Sequence, residues 1–320
     1  MVETTGRGLT DWDRRFSRTN YCENGQYFES GERISGPERV GHSSNTSSFG
    51  SLKGPARNAS AELSQTVQEG AVVLLYKDSR RKWVTQVSRT RFHTHRGFVE
   101  LAETIGLRYG DTVKTSTGDR LIVFRPRTID LVEVFDRPTQ ILYPKDIGYA
   151  LYQLGVKPGD KAIEVGTGSG AMSVSLAQAV QPNGHVFSYE MRPEFLKVAQ
   201  SNIQKAGLSD FVTLYNKDPS EGFEETDANV AIIDLGDPWK IVPSAWKALI
   251  GGGMLAAFTP TTNQLEKVAE TLRESGFLIL EAVEVLLRQL RTETGKLRPE
   301  SRMVGHTAYV TIARKVLPTA

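Results

Sequence analysis

Residues Lys161–Glu190 read KAIEVGTGSGAMSVSLAQAVQPNGHVFSYE, and this stretch decides the fold class. An apolar run, AIEV, leads into three glycines at alternate positions, Gly166, Gly168 and Gly170. A run of small residues with helical character follows, then a second apolar run that ends in Glu190. Glycines let the backbone turn sharply and approach a bound molecule, and the start of the following helix offers N–H groups without intrahelical partners. An acid that ends the next strand can accept both hydroxyls of a ribose. The pattern implies a strand–turn–helix–strand unit with a nucleoside-cofactor pocket. A glycine turn that serves only tight strand–helix packing is the alternative, and the acids further along the chain speak against it.

Spacing bears on the cofactor. A dinucleotide fingerprint, G-x-G-x-x-G, places its third glycine three residues past the second. Here the run is G-T-G-S-G. The strand also carries Glu164 near its end, where a carboxylate repels a pyrophosphate but suits a cationic sulfonium amino acid. S-adenosylmethionine is therefore expected ahead of NAD.

Outward from this unit, strands and helices alternate. The helix of YPKDIGYALYQL, with Ile147, Ala150, Leu151 and Leu154 on one face, stops at Pro158-Gly159. After Glu190 come a helix over 193–206, FVTLYN, VAIIDL, a helix over 243–250, GMLAAF, a helix over 263–275, FLILEAVEVLL and TAYVTIA. Alternation of this kind builds an α/β fold, a Rossmann-like parallel sheet covered on both faces. The last two long strands read as an antiparallel pair at its edge.

The flanking regions differ. Residues 66–130 hold short alternating strands with turns near Lys77–Lys82 and Thr117–Asp119, which predicts a small β-rich domain, barrel-like or a sandwich. Residues 131–320 form the cofactor-binding domain. Residues 1–65 are rich in Gly, Ser, Asn and Arg with scattered aromatics, the composition of a largely unstructured arm. The single cysteine, Cys22, excludes an internal disulfide framework and fits a reducing cytoplasm. No apolar run reaches the roughly 18 residues of a membrane span, and no signal-peptide core is present. A net charge of +2 announces no nucleic-acid partner by itself, so any such surface must be local.

Four acids follow or end successive strands: Glu164, Glu190, Asp218 and Asp234. Ligands of open α/β sheets bind at the carboxyl ends of the strands. Glu190 is expected at the ribose, Asp218 at the adenine amino group, Glu164 near the cofactor's ammonium, and Asp234 facing the substrate. Asp234 opens DLGDPW; a carboxylate there suits an exocyclic amine on a flat base, and Trp239 either stacks on that base or is a core aromatic. The loop QLRTETGKLRPESRMVGHTAYV concentrates Arg291, Lys296, Arg298 and Arg302 beside the expected site, either as a solvated loop or as a phosphate-neutralising surface. His306 is a structural histidine or a substrate contact. His93 and His95 supply too few ligands for a metal, and none is expected.

FHTHRG (92–97), RPTQILYPKDIGYAL (137–151), EVGTGSGAMS (164–173), SYE (188–190), DLGDPW (234–239) and RPESRMVGHTAYV (298–310) resemble the tRNA adenine N1-methyltransferases that modify position 58 of the T-loop. The resemblance covers about residues 67 to 315. It implies a class I S-adenosylmethionine-dependent methyltransferase domain behind a small β-rich domain, acting on tRNA as a homotetramer. By matching position it places Gly166, Gly168, Ser169, Gly170, Ala171 and Met172 in the cofactor turn, Glu190 at the ribose and Asp218 near the adenine. Asp234 then holds the target base, Gln140 and Tyr143 line the cofactor or target pocket, and Arg298, Arg302 and His306 face the RNA. Gly236 stands where the family usually has proline, a change that loosens the loop.

Overall fold

The computed structural model describes residues 65–95, 97–137 and 141–318. The expected arm, Arg96 and Gln140 lie outside the described residues.

The N-terminal strands are β1 (Val72–Asp78), β2 (Arg81–Gln86), β3 (Arg91–Thr94), β4 (Gly97–Glu100), β5 (Thr112–Lys114) and β6 (Arg120–Phe124). They pair antiparallel as a sheet of order β2–β1–β6–β5 and a separate β3–β4 hairpin. Strand alternation sends Val73, Leu75, Leu121 and Val123 to one face, where Val99 and Leu101 from the hairpin segment complete a small core. Among the described residues β2 and β5 are the edges of this sheet, and the hairpin packs on its face. The histidines of FHTHRG lie in aromatic contacts, His93 with Phe98 and His95 with Trp83. Among the described residues no group of three or more His, Cys, Asp or Glu gathers as a metal site.

The chain continues through α1 (Thr128–Glu133), α2 (Pro144–Leu154), β7 (Lys161–Val165), α3 (Ala171–Val180), β8 (His185–Tyr189), α4 (Pro193–Lys205), β9 (Val212–Tyr215), β10 (Ala228–Ile233), α5 (Val242–Ala248), β11 (Leu249–Thr259), α6 (Thr262–Glu274), β12 (Phe277–Glu284), the short β13 (Leu290–Arg291) and β14 (Arg298–Pro299), and β15 (Tyr309–Lys315). Prolines in the first turns of α2 and α4 suit positions whose N–H would be unpaired, and Gly155 ends α2 in the left-handed conformation.

Seven strands form one sheet, in the order β12–β15–β11–β10–β7–β8–β9. β7 to β11 run parallel, and β15 is antiparallel to both of its neighbours. The antiparallel pair is thus at the edge as expected, but β15 is inserted between β11 and β12 rather than added outside them. Adjacent strand residues face opposite ways: Ala162, Val230, Ile232 and Ala256 pack under α2, α3 and α4, whereas Ile163, Ala231, Ile233 and Ala257 pack under α5 and α6. Burial on both faces explains why these strands read as continuous apolar runs. Two ends differ from expectation: α5 stops at Ala248 because β11 already begins at Leu249, and β12 stops at Glu284.

Candidate active site

Backbone hydrogen bonds carry the parallel ladder just past the strand ends and set the acids in line. Gly166 N donates to Tyr189 O (2.9 Å), Glu190 N to Tyr215 O (3.0 Å) and Asp234 N to Val165 O (2.9 Å). Gly166 has φ +94°, and a Cβ there would lie 1.9 Å from the Asp234 carbonyl oxygen. Only glycine allows the turn to pass that close. Gly170, also with positive φ, caps α3. Asn202 of α4 holds the turn from behind, donating 3.0 Å to Ser169 O while its amide also bonds Asp136.

A cleft of about 540 Å³ opens along this edge, lined among others by Gly166, Glu190, Asp218, Asp234 and Gly236. A small cavity continues from it between Ile141, Leu142, Glu164, the turn Gly166–Ser169, Ala171, Met172 and Asp234. Glu190 is buried; its Oε2 accepts from Gly168 N (3.1 Å) and its Oε1 from the backbone N–H and Nε of Arg192 (3.1 and 3.0 Å). Asp218 uses Oδ1 to accept from Ser220 N (2.8 Å), which holds its carboxyl below the usual range. Burial pushes the Asp234 carboxyl up to about 6.

Glu164 lies one residue before the end of β7 and is only 1 % exposed. Its Oε2 accepts from Ser173 Oγ (2.5 Å) and Ser188 Oγ (2.7 Å), whereas its Oε1 has no hydrogen-bond partner. Burial raises this carboxyl to about 7, and the nearby Asp234 charge adds to the rise. An orphaned acceptor on a residue that lines a cavity at a glycine turn fits a cationic cofactor that brings its own donors.

The sheet therefore brings together Glu164, Gly166, Gly168, Ser169, Ala171, Met172, Glu190, Asp218 and Asp234, with Gly170 capping the helix behind. Of the two readings of Trp239, the geometry favours the core aromatic: it is partly buried against the α5–α6 core, with Lys267 Nζ 4.8 Å from its ring centroid, and is not among the cleft-lining residues. Tyr143, just before α2, is 40 % exposed. Arg298 and Arg302 are exposed, and Arg298 donates to Ser301 Oγ (3.1 Å). His306 faces Glu284 Oε1 through Nδ1 (2.5 Å) and Pro260 O through Nε2 (2.8 Å). Two acceptors favour the doubly protonated ring, and its pKa is raised, chiefly by Glu284. The neighbouring Thr307 donates to Asp146 Oδ2 (2.7 Å) and accepts from Lys145 Nζ (2.5 Å), which ties the loop to the start of α2.

Sequence reasoning passed over Asn202, Arg192 and this Lys145–Asp146–Thr307 cluster. Asn202 did leave a signal, a lone amide in the apolar stripe of Ala199 and Ile203. Arg192 stands two residues after the ribose acid, close enough to have been considered.

A seven-stranded sheet with one inserted antiparallel strand, a glycine turn after its central strand and an acid after the next defines a S-adenosylmethionine-dependent methyltransferase. A family model described as the GCD14 subunit of a tRNA methyltransferase complex matches residues 131–298. The chain is 31 % identical over 270 residues to the tRNA (adenine(57)-N(1)/adenine(58)-N(1))-methyltransferase TrmI of Methanocaldococcus jannaschii, covering 76 % of this chain and 95 % of that one. It is 30 % identical to the tRNA (adenine(58)-N(1))-methyltransferase TrmI of Thermus thermophilus over 70 % of this chain and 88 % of that one. Among solved structures, the tRNA (m1A58) methyltransferase TrmI of Aquifex aeolicus superposes with TM-score 0.64 at 31 % identity, covering 79 % of this chain and 100 % of that one. A S-adenosylmethionine-dependent O-methyltransferase of Thermotoga maritima does so with TM-score 0.69 at 40 % identity, covering 80 % and 97 %. The chain belongs to the tRNA (adenine-58-N1)-methyltransferase family.

Proposed function

We propose that this protein transfers a methyl group from S-adenosylmethionine to N1 of adenine 58 in the T-loop of tRNA. The observation that carries this reading is the position of Asp234, whose carboxyl borders both the cleft and the small cavity at its inner end. When bound, S-adenosylmethionine would supply an electrophilic sulfonium methyl: the lone pair of adenine N1 would bond to that carbon as its bond to sulfur breaks, and S-adenosylhomocysteine would leave. Glu190 holds the donor's ribose hydroxyls, Asp218 accepts from its adenine amino group through Oδ2, and the N–H groups of Ala171 and Met172 at the start of α3 meet the carboxylate of its amino-acid part. Asp234 accepts from the exocyclic amine of the target base, fixes its orientation and offsets the positive charge that the ring acquires. Adenine N1 needs no deprotonation, so orientation supplies most of the acceleration. Tyr143 borders the target base, and Arg298, Arg302 and His306 meet the RNA backbone.

Residues 66–130 serve as a tRNA-binding domain beside the catalytic domain of 131–320. The exposed Leu278, Leu280, Leu286, Leu287, Leu290 and Leu297 are the kind of apolar surface that subunits cover, and they support assembly as a homotetramer. Cytoplasmic action fits the reducing compartment suggested by the lone cysteine.

Bulk unmodified tRNA incubated with labelled S-adenosylmethionine, digested to nucleosides and mapped by position, tests the reading. The expected product is 1-methyladenosine at position 58. A 2′-O-methylated nucleoside instead, the outcome that the O-methyltransferase likeness would suggest, overturns it.

A further inference from the structure

The buried carboxyl of Glu164 has surroundings that set its charge. Its Oε2 accepts two serine hydroxyl bonds, while Oε1 is buried with no partner, and Glu164 itself lines the small cavity. The groups that face it are Ser173 on α3, Ser188 on β8 and Asp234 at the end of β10; Thr167 Oγ1 bonds Ser188 Oγ at 2.6 Å and stands one step further out. No Lys, Arg or His is paired with it among the described residues, and the one charged neighbour has the same sign. An ionised carboxylate buried without a cation costs several kcal/mol, so such a group holds its proton instead.

We infer that Glu164 is a neutral acid in the donor-free protein and releases its proton to solvent when the cationic donor enters the cavity. The inference rests on the donor reading above. An ammonium or sulfonium beside Oε1 supplies the missing opposite charge, and the carboxylate becomes the favoured form. Burial, with a contribution from Asp234, holds the free group near neutrality, so the release falls within an accessible pH range. A pyrophosphate ligand would act in the opposite sense and keep the proton on.

Calorimetric titration of S-adenosylmethionine into the full chain, in buffers of different ionisation enthalpy, counts the protons. Near about pH 6.5 the donor's own amine stays charged, and about 0.8 proton is expected to leave Glu164 per donor bound, about 1 in all with Asp234's share. Glu164→Gln keeps the shape of the side chain, binds the donor, and cuts the release at least about threefold, leaving Asp234's share. Binding with a wild-type release at or below about 0.2 proton, or with an unchanged count in the variant, overturns the role of Glu164 and leaves the donor reading intact. If the variant loses binding, the wild-type count alone decides. No binding of S-adenosylmethionine to the wild-type chain defeats the donor reading and this inference with it.

Discussion

The two sides of the sheet's carboxyl edge are built differently. On the donor side, at β7, β8 and β10, the acids are buried or half-buried and held by the fold: the Glu190 carboxylate by the N–H groups of Gly168 and Arg192, the Glu164 carboxyl by Ser173 and Ser188, and the main chain of Asp234 by Val165 O. On the acceptor side, in the loop from Leu286 to His306, the charged groups are mostly exposed, and apart from His306, which reaches Glu284 and Pro260, they bond within their own loop. Arg291 pairs with Glu300 and Arg298 with Ser301. The proposed donor site is thus largely a consequence of the fold, with the Glu164 Oε1 acceptor left for the ligand. The proposed acceptor surface carries exposed charge, as expected where a polyanion supplies partners.

Breaking the donor side should therefore be the most damaging change. In Gly166→Ala the new Cβ meets the Asp234 carbonyl, and both the turn and the Asp234 backbone must move. The expected outcome is loss of S-adenosylmethionine binding and turnover together, read by calorimetry and methylation assay. Asp234→Ala separates what Gly166→Ala joins. Turnover should fall at least about 100-fold with donor affinity within about threefold. Near-normal turnover would remove Asp234 from the mechanism.

The buried carboxyls also tie the donor side to pH. For Glu164 the folded state raises an acid's pKa from its ordinary 4.5 to about 7. Stability from this group is present at low pH and is lost as pH climbs from the unfolded to the folded value. Between about pH 5.5 and 8 Glu164 alone should remove roughly 2 kcal/mol from the donor-free protein. Thermal melts should show the decline, and Glu164→Gln should flatten it. Melts that stay level across this window would show that the carboxyl is not buried in the donor-free state.

The same contrast governs what the sequence disclosed. The glycine turn, the acids after β8 and β10 and the alternation of strands were legible, because each follows from local backbone needs or from burial on both sheet faces. The insertion of β15 between β11 and β12 was not, since strand order depends on which edge a long connection reaches. Trp239 was ambiguous for a related reason. An aromatic after a short turn reads alike whether it faces a ligand or a core, and here the packing of α5 and α6 took it. The Lys145–Asp146–Thr307 cluster joins residues some 160 positions apart, a separation that no local pattern encodes.

On the acceptor side the effects should be smaller and graded. Arg298→Gln and Arg302→Gln should each weaken tRNA binding without sequence preference and lower the slope of log affinity against log salt by about 1. Turnover at saturating tRNA should hold. An unchanged slope would assign these arginines to subunit contacts instead.

The smallest change lies where the two sides meet. Gly236 is exposed in the loop after Asp234, has no positive φ, and a Cβ there meets nothing within 4 Å. Nothing in the folded state requires glycine, so Gly236→Ala should stabilise the protein by about 0.4–1 kcal/mol by restricting the unfolded chain. If the loop only carries Asp234, turnover in this variant stays within about twofold, because the main chain of Asp234 is fixed by its N–H bond to Val165 O and not by the residue two places on. A stabilised variant with depressed turnover and normal donor affinity would mean that the loop must flex to admit the base. The acceptor side would then reach one loop further into the fold than its exposed charges indicate.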